Sequence, residues 1–195
     1  MRSTLDKVLS AIGVALAVAL LVTGGLLTWA SSFIGNEVHT QLTDQKITMP
    51  PVAALTTPAQ KDHLAQYAGT PLDSGPKAKA YADYFIKVHM DEASQGKSYS
   101  EVSSAYMAAV KANPQATETQ QLGELRQTLF MGDTLRGLLL YGFAFATIGT
   151  VAGYAAWAAF AGAVVFLVLG LLGFRHARLV AAAPPAAEAE PRVVS

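Results

Sequence analysis

The chain has 195 residues, enough for one modest domain. Apolar residues make up 52% and charged residues only 14%, against about 25% charged in average soluble domains; with a mean hydropathy of +0.32, this points to a membrane protein. The balanced charge gives no footprint for nucleic acid, and the absence of cysteine excludes disulfides, thiolate metal sites and cysteine nucleophiles.

Residues 1–7 carry Arg2 and Lys7 and lead into an uncharged apolar segment, residues 8–30. A bilayer core of about 30 Å needs roughly 20 helical residues, so this segment is long enough to cross. A signal peptide is the competing reading, but its apolar region usually runs about 7–15 residues, and no A-x-A site follows here. A signal anchor, transmembrane helix 1, with a cytoplasmic N-terminus is expected.

The second apolar segment, residues 137–174, holds 38 uncharged residues before Arg175 and Arg178. That exceeds one crossing but falls short of two crossings plus a turn, about 40 residues or more. One crossing also returns Arg175 and Arg178 to the side of Arg2 and Lys7, as the positive-inside rule favours. Transmembrane helix 2 is therefore placed at residues 154–174, and residues 137–153 form an apolar extension of the last helix beyond the membrane. Trp29, Tyr154, Trp157, Arg175 and Arg178 are the expected membrane-interface anchors. Residues 175–195 end in an Ala/Pro/Glu-rich stretch expected to be a disordered cytoplasmic tail.

The intervening residues 31–136 hold nine Lys/Arg against eleven Asp/Glu and are expected to be extracytoplasmic. Ile34, Val38 and Leu42 extend the first span as an amphipathic helix, which the Pro50-Pro51 pair stops. Thr57-Pro58 opens a short helix through Tyr67, closed by Gly69. Ala78, Tyr81, Phe85 and Val88 mark a helix that ends before Gly96. Ser98 and Glu101 form a capping-box pattern for a helix ending at Asn113-Pro114. Thr117 and Gln120 repeat the pattern; Gly132 is expected to close that helix, and Thr134 to cap the final one. The fold class is thus an all-α membrane protein, two transmembrane helices flanking a small extracytoplasmic helical domain.

Several stretches resemble an uncharacterised family of actinobacterial two-span membrane proteins, whose members often carry the label of aromatic ring-opening dioxygenase. The matching residues are Val38, Gln41-Leu42, Gln45-Lys46-Ile47 and Pro50, then Tyr67-Ala68-Gly69 and the run from Ala78 to Asp83. The last are Leu129-Phe130, Gly132, Thr134-Leu135-Arg136-Gly137 and Leu139-Leu140. The resemblance covers residues 9–174 and implies location and architecture, with little about activity.

Candidate chemistry is sparse. His89-Met90-Asp91 matches the H-x-D pair of a two-His-one-carboxylate iron site, but on a helix residues two apart diverge by about 200°. His39, His63 and His89 lie on three separate expected helices without ligand spacing. No Asp, Glu, Lys, Arg or His interrupts either apolar segment, where a transport path or proton relay would place one. Ala11, Ala15 and Ala19 repeat every four residues, as do Gly149 with Gly153 and Ala158 with Gly162; such stripes allow close helix approach in lipid, between the two spans or against another protein.

The expectation is a non-catalytic accessory or scaffolding subunit of a membrane or cell-envelope complex, without metal or cofactor, whose partners are the bilayer and a membrane protein or a second copy of itself. Candidate contacts are Gln41, Gln45, Lys46, Tyr81, Arg136, Tyr141, Phe145, Gly149 and Gly153, with Arg136 also placed to pair with Asp83 or Glu37. The alternative is an extracytoplasmic lipid or small-molecule binding module, its groove lined by Tyr67, Tyr81, Phe85, Tyr106, Phe130 and Phe143.

Overall fold

A computed structural model describes residues 2–182 of the chain. Its main elements are six α-helices: α1 (Arg2–Asp44), α2 (Pro58–Leu64), α3 (Gly75–Tyr81), α4 (Lys87–Ser94), α5 (Tyr99–Ala112) and α6 (Thr117–Ala182). A π-helical turn, Ala82–Ile86, joins α3 to α4. Among the described residues there is no β-strand, only an isolated antiparallel bridge between Thr48 and Pro71. The chain divides into two compact units, Met1–Trp29 with Ala152–Ser195, and Ala30–Val151.

Within the first unit, α1 and α6 run antiparallel and touch through small residues. Ser10, Ala17 and Gly24 are buried on α1, and Ala156, Ala163, Gly170 and Ala177 on α6. Both sets are spaced by seven residues, the period that lets two helices stay in contact by coiling left-handedly. A Cβ on Gly170 would lie 2.8 Å from Val14 and 3.1 Å from the Ser10 carbonyl, and one on Gly24 would meet the Phe160 ring at 2.7 Å. The Ser10 hydroxyl donates to the Asp6 carbonyl at 2.7 Å, so its burial leaves no donor stranded. Ala11, Ala15 and Ala19 lie elsewhere on α1 and are exposed, as is Ala158, whereas Gly162 lies against Leu20 and Gly149 against Ile34; the alanine stripe expected on α1 is not the packed seam.

Two helices are long and apolar enough to cross a membrane. Only 17% and 22% of their most apolar windows are buried, whereas the core helix of a water-soluble domain would be mostly covered. The exposure of Val8, Ile12, Val22, Val164 and Leu171 is consistent with contact with a lipid bilayer.

In the second unit, α1 ends where Lys46 adopts φ +54. Residues 47–49 then run extended beside residues 69–72, with Met49 N–H donating to Thr70 at 2.9 Å and Leu72 N–H to Ile47 at 2.9 Å. Thr57 and Gln60 cap α2 reciprocally, as Ser98 and Glu101 cap α5. The core gathers Leu42, Met49, Leu55, Leu64, Leu72 and Leu139, with small alanines from α3 and the π turn.

Three boundaries differ from the sequence expectations. Gly132 and Thr134 do not separate two helices, because α6 continues unbroken through both. The sulfur of Met90 fills the space a side chain on Gly132 would need, and Thr134 donates its hydroxyl to the Phe130 carbonyl at 2.7 Å, a bond inside the helix. Glycine here serves close packing, which offsets its helix cost of about 1 kcal/mol. Thr117 is the first helical residue rather than the cap; the Asn113 side chain instead accepts from Gln115 N–H at 3.1 Å. Helix α6 also continues through Ala182, beyond Arg175 where a disordered tail was expected; residues 183–195 of that tail lie outside the described residues.

Replacing Gly170 with Val should destabilise the α1–α6 seam by about 1–3 kcal/mol through overpacking. Ala15→Leu should stay within about 0.5 kcal/mol. Thermal unfolding of the full chain in detergent, followed by circular dichroism, compares them directly.

Candidate functional site

The apolar residues 137–153 receive cover on one side only. Leu139 enters the core, Gly142 lies against Leu42, Ala146 against Gly75, and Gly149 against Ile34 and the Ser31 carbonyl. A Cβ on Gly149 would lie 3.1 Å from Ile34, so this glycine is a contact within the unit rather than a free partner surface. Leu138, Tyr141, Phe145 and Ile148 form the other face, with exposures of 57%, 67%, 56% and 54%.

Two open grooves flank this face. One, of about 460 Å³, lies between the end of α1 and α6, lined by Phe33, Glu37, Gln41, Gln45, Tyr141 and Phe145 among others. The second, of about 420 Å³, lies between α6 and the π turn with α4, lined by Tyr81, Phe85, Ile86, His89, Met90 and Leu135 among others. Gln45 and Leu138 line both. Both volumes fall within the range of about 300–1,000 Å³ typical of small-molecule sites. The π turn contributes two consecutive wall residues, Phe85 and Ile86, to the second groove; such wide turns occur often at functional sites.

Of the sequence candidates, Gln41, Gln45, Tyr81, Tyr141 and Phe145 come together around the grooves. Lys46 is exposed at the end of α1, and Gly153 belongs to the other unit. Gln41 donates to Glu37 at 2.6 Å. Burial raises the pKa of the Tyr81 phenol, which keeps it a neutral hydrogen-bonding group. Among the six aromatics expected in a groove, Tyr81 and Phe85 line one of these two. Tyr67 packs on the core, Phe143 lies under the Lys79 ammonium, and Tyr106 and Phe130 serve the α5–α6 contact beside Gly123 and Tyr99. Met90 and Leu138 were not singled out from sequence as contacts, and Glu37 was named there only as a possible partner of Arg136. Glu37 alone carried a usable signal, its four-residue spacing to Gln41 on a helix.

Arg136 pairs with Asp83 at 3.1 Å rather than with Glu37, and Lys79 reaches the same carboxylate at 2.5 Å. Burial by itself would raise the Asp83 pKa, but hydrogen bonds from Lys79 and Arg136 outweigh it and hold the carboxyl below its usual value. This cluster ties α6 to α3 and the π turn. The Arg136 Nε is buried without a hydrogen-bond partner, so the guanidinium is held through its other nitrogens.

The histidines are dispersed. His39 Nδ1 lies 3.0 Å from the Asp73 carbonyl, His89 Nδ1 lies 2.8 Å from the Phe85 carbonyl, and His63 stacks on Tyr84 at 3.9 Å. Asp91 pairs with Lys87. Among the described residues no three His, Asp or Glu side chains converge on a point that could hold a metal ion. Trp29, Tyr154, Trp157, Arg175 and Arg178 are all exposed on α1 and α6.

Comparison of the chain with protein-family models, curated proteins and solved structures finds no match.

Asp83→Asn should cost about 1–3 kcal/mol at pH 7 by leaving Arg136 without its counter-charge. Because the folded carboxyl titrates below its unfolded value, wild type should keep this stabilisation above about pH 4 and lose it on further acidification. The variant should lack that part of the acid dependence. Thermal midpoints from pH 3 to 7 read both effects.

Proposed function

We propose that the chain is a non-catalytic accessory or scaffolding subunit of a membrane or cell-envelope complex. The observation that carries this reading is the uncovered apolar face of Leu138, Tyr141, Phe145 and Ile148. Contiguous exposed apolar surface of this kind marks interaction sites, and tyrosine at its centre is a residue type enriched among interface anchors. The proposal includes the plasma membrane as location, with both termini cytoplasmic and residues 31–136 extracytoplasmic. It also includes kinship with the two-span actinobacterial family that the sequence resembles. Arg2 and Lys7, and Arg175 and Arg178, then share the cytoplasmic side, and 38 uncharged residues in α6 supply one crossing with about half the run left over.

A second reading, a lipid or small-molecule binding module, is supported by the two grooves beside the same face.

Cysteine-free wild type with single cysteines introduced at Tyr141 or Phe145 can be crosslinked in native membranes. A discrete adduct of one added mass, at least tenfold weaker when Leu138 and Ile148 are also changed to Asp, is the expected outcome. A monodisperse monomer without any adduct would exclude the subunit reading.

A further inference from the structure

The two grooves share Gln45 and Leu138 in their walls, so one occupant passing these residues would lie in both as a single crevice along α6. Its wall on that helix extends from Thr128 to Ile148, a rise on the order of 30 Å at about 1.5 Å per residue. A crevice of that length favours a linear occupant over a compact one. Its lining is apolar along most of its course: Phe33, Leu138 and Phe145 in one half, Phe85, Met90 and Leu135 in the other.

The charge of the lining narrows the class further. Among the described residues no Lys or Arg lines either groove; His89 stands in the second groove, and the single carboxylate is Glu37, in the first, held in place by the 2.6 Å hydrogen bond from Gln41. Beside it stands Gln45, at the junction of the grooves, where the amide offers both donors and an acceptor. An anionic head group placed beside Glu37 would meet a like charge and no Lys or Arg. An uncharged hydroxyl or ester meets complementary groups.

Resting on the ligand-binding reading above, we propose that this crevice holds one neutral, single-chain amphiphile. Its chain lies along the Leu138 face and its uncharged head group meets Gln45 and the Glu37–Gln41 pair. A phospholipid or free fatty acid is disfavoured by Glu37. The site would thus select by head-group charge while accepting variation in the chain, because the apolar walls fix no single chain length.

The test uses the full chain in nanodiscs with two photoreactive probes of equal chain length, a diazirine monoacylglycerol and the matching fatty acid, at a pH that ionises the acid. Labelled peptides are mapped by mass spectrometry. The monoacylglycerol is expected to label residues 33–45 and 132–148 at least tenfold more than the fatty acid does, and unlabelled monoacylglycerol should compete. Glu37→Lys should raise fatty-acid labelling of these peptides several-fold, with Glu37→Gln giving a smaller rise; Glu37 is exposed on a helix, and thermal unfolding checks that each variant folds. Equal labelling by both probes, or no response to either Glu37 variant, overturns the head-group selection and leaves the ligand-binding reading standing. Labelling confined to residues 8–30 and 154–174, or a crevice occupied by a second copy or another protein that excludes both probes, overturns the inference and that reading together.

Discussion

The close approach of α1 and α6 depends on missing side-chain volume. In the first unit, Ser10, Ala17 and Gly24 face a partner helix whose buried positions include the seven-residue series Ala156, Ala163, Gly170 and Ala177, with Ala159 beside it. In a lipid environment the tails are as apolar as leucine, so no hydrophobic gain draws two helices together. Contact must come from dispersion and backbone proximity, which small residues permit and large ones prevent. Repetition every seven residues keeps those small positions on one seam over several turns. In the second unit the same pair of helices follows the same rule where Gly142 meets Leu42 and Gly149 meets Ile34.

Helix α6 carries two apolar faces through residues 138–149, and they have different fates. Leu139, Gly142, Ala146 and Gly149 are covered by α1, α3 and the core of the second unit. Leu138, Tyr141, Phe145 and Ile148, one position off, are left open. The distinction is set by where α3 and the π turn dock. That docking is held by Asp83, which receives Lys79 and Arg136, and by Met90, which reaches onto Gly132. The same docking forms one wall of the crevice, so the packing of the unit and the proposed site share their supports.

Much of the local structure was legible from residue chemistry. Thr57 with Gln60 and Ser98 with Glu101 cap their helices as their spacing implies, and Gly69 and Gly96 take positive φ where helices stop. The error at Gly132 and Thr134 has a physical cause. Both residues favour helix ends when considered alone, yet the flanking apolar residues gain enough from packing to carry the helix through. The four-residue alanine stripe misled for a related reason: several small-residue patterns coexist on a span rich in Ala and Gly, and only contact with the partner helix selects one. Of the contacts expected from sequence, Gln41, Gln45, Tyr141 and Phe145 line the first groove. Met90, and Glu37 as anything but a possible partner of Arg136, were not legible because their place comes from the grooves they line.

The amino-acid sequence by itself determined that this chain is helical and that two stretches are long and apolar enough to cross a membrane, because these follow from residue propensity and hydrocarbon thickness. It also determined most helix ends, since caps and turn residues act over three or four positions. Only the tertiary structure decided which face of each apolar helix is covered. On α6 the leucines at 138 and 139 are chemically equal and adjacent, and no periodicity distinguishes a face that meets protein from one that does not. That choice arises from which distant residues, Leu42, Gly75 and Asp83 among them, are brought against the helix.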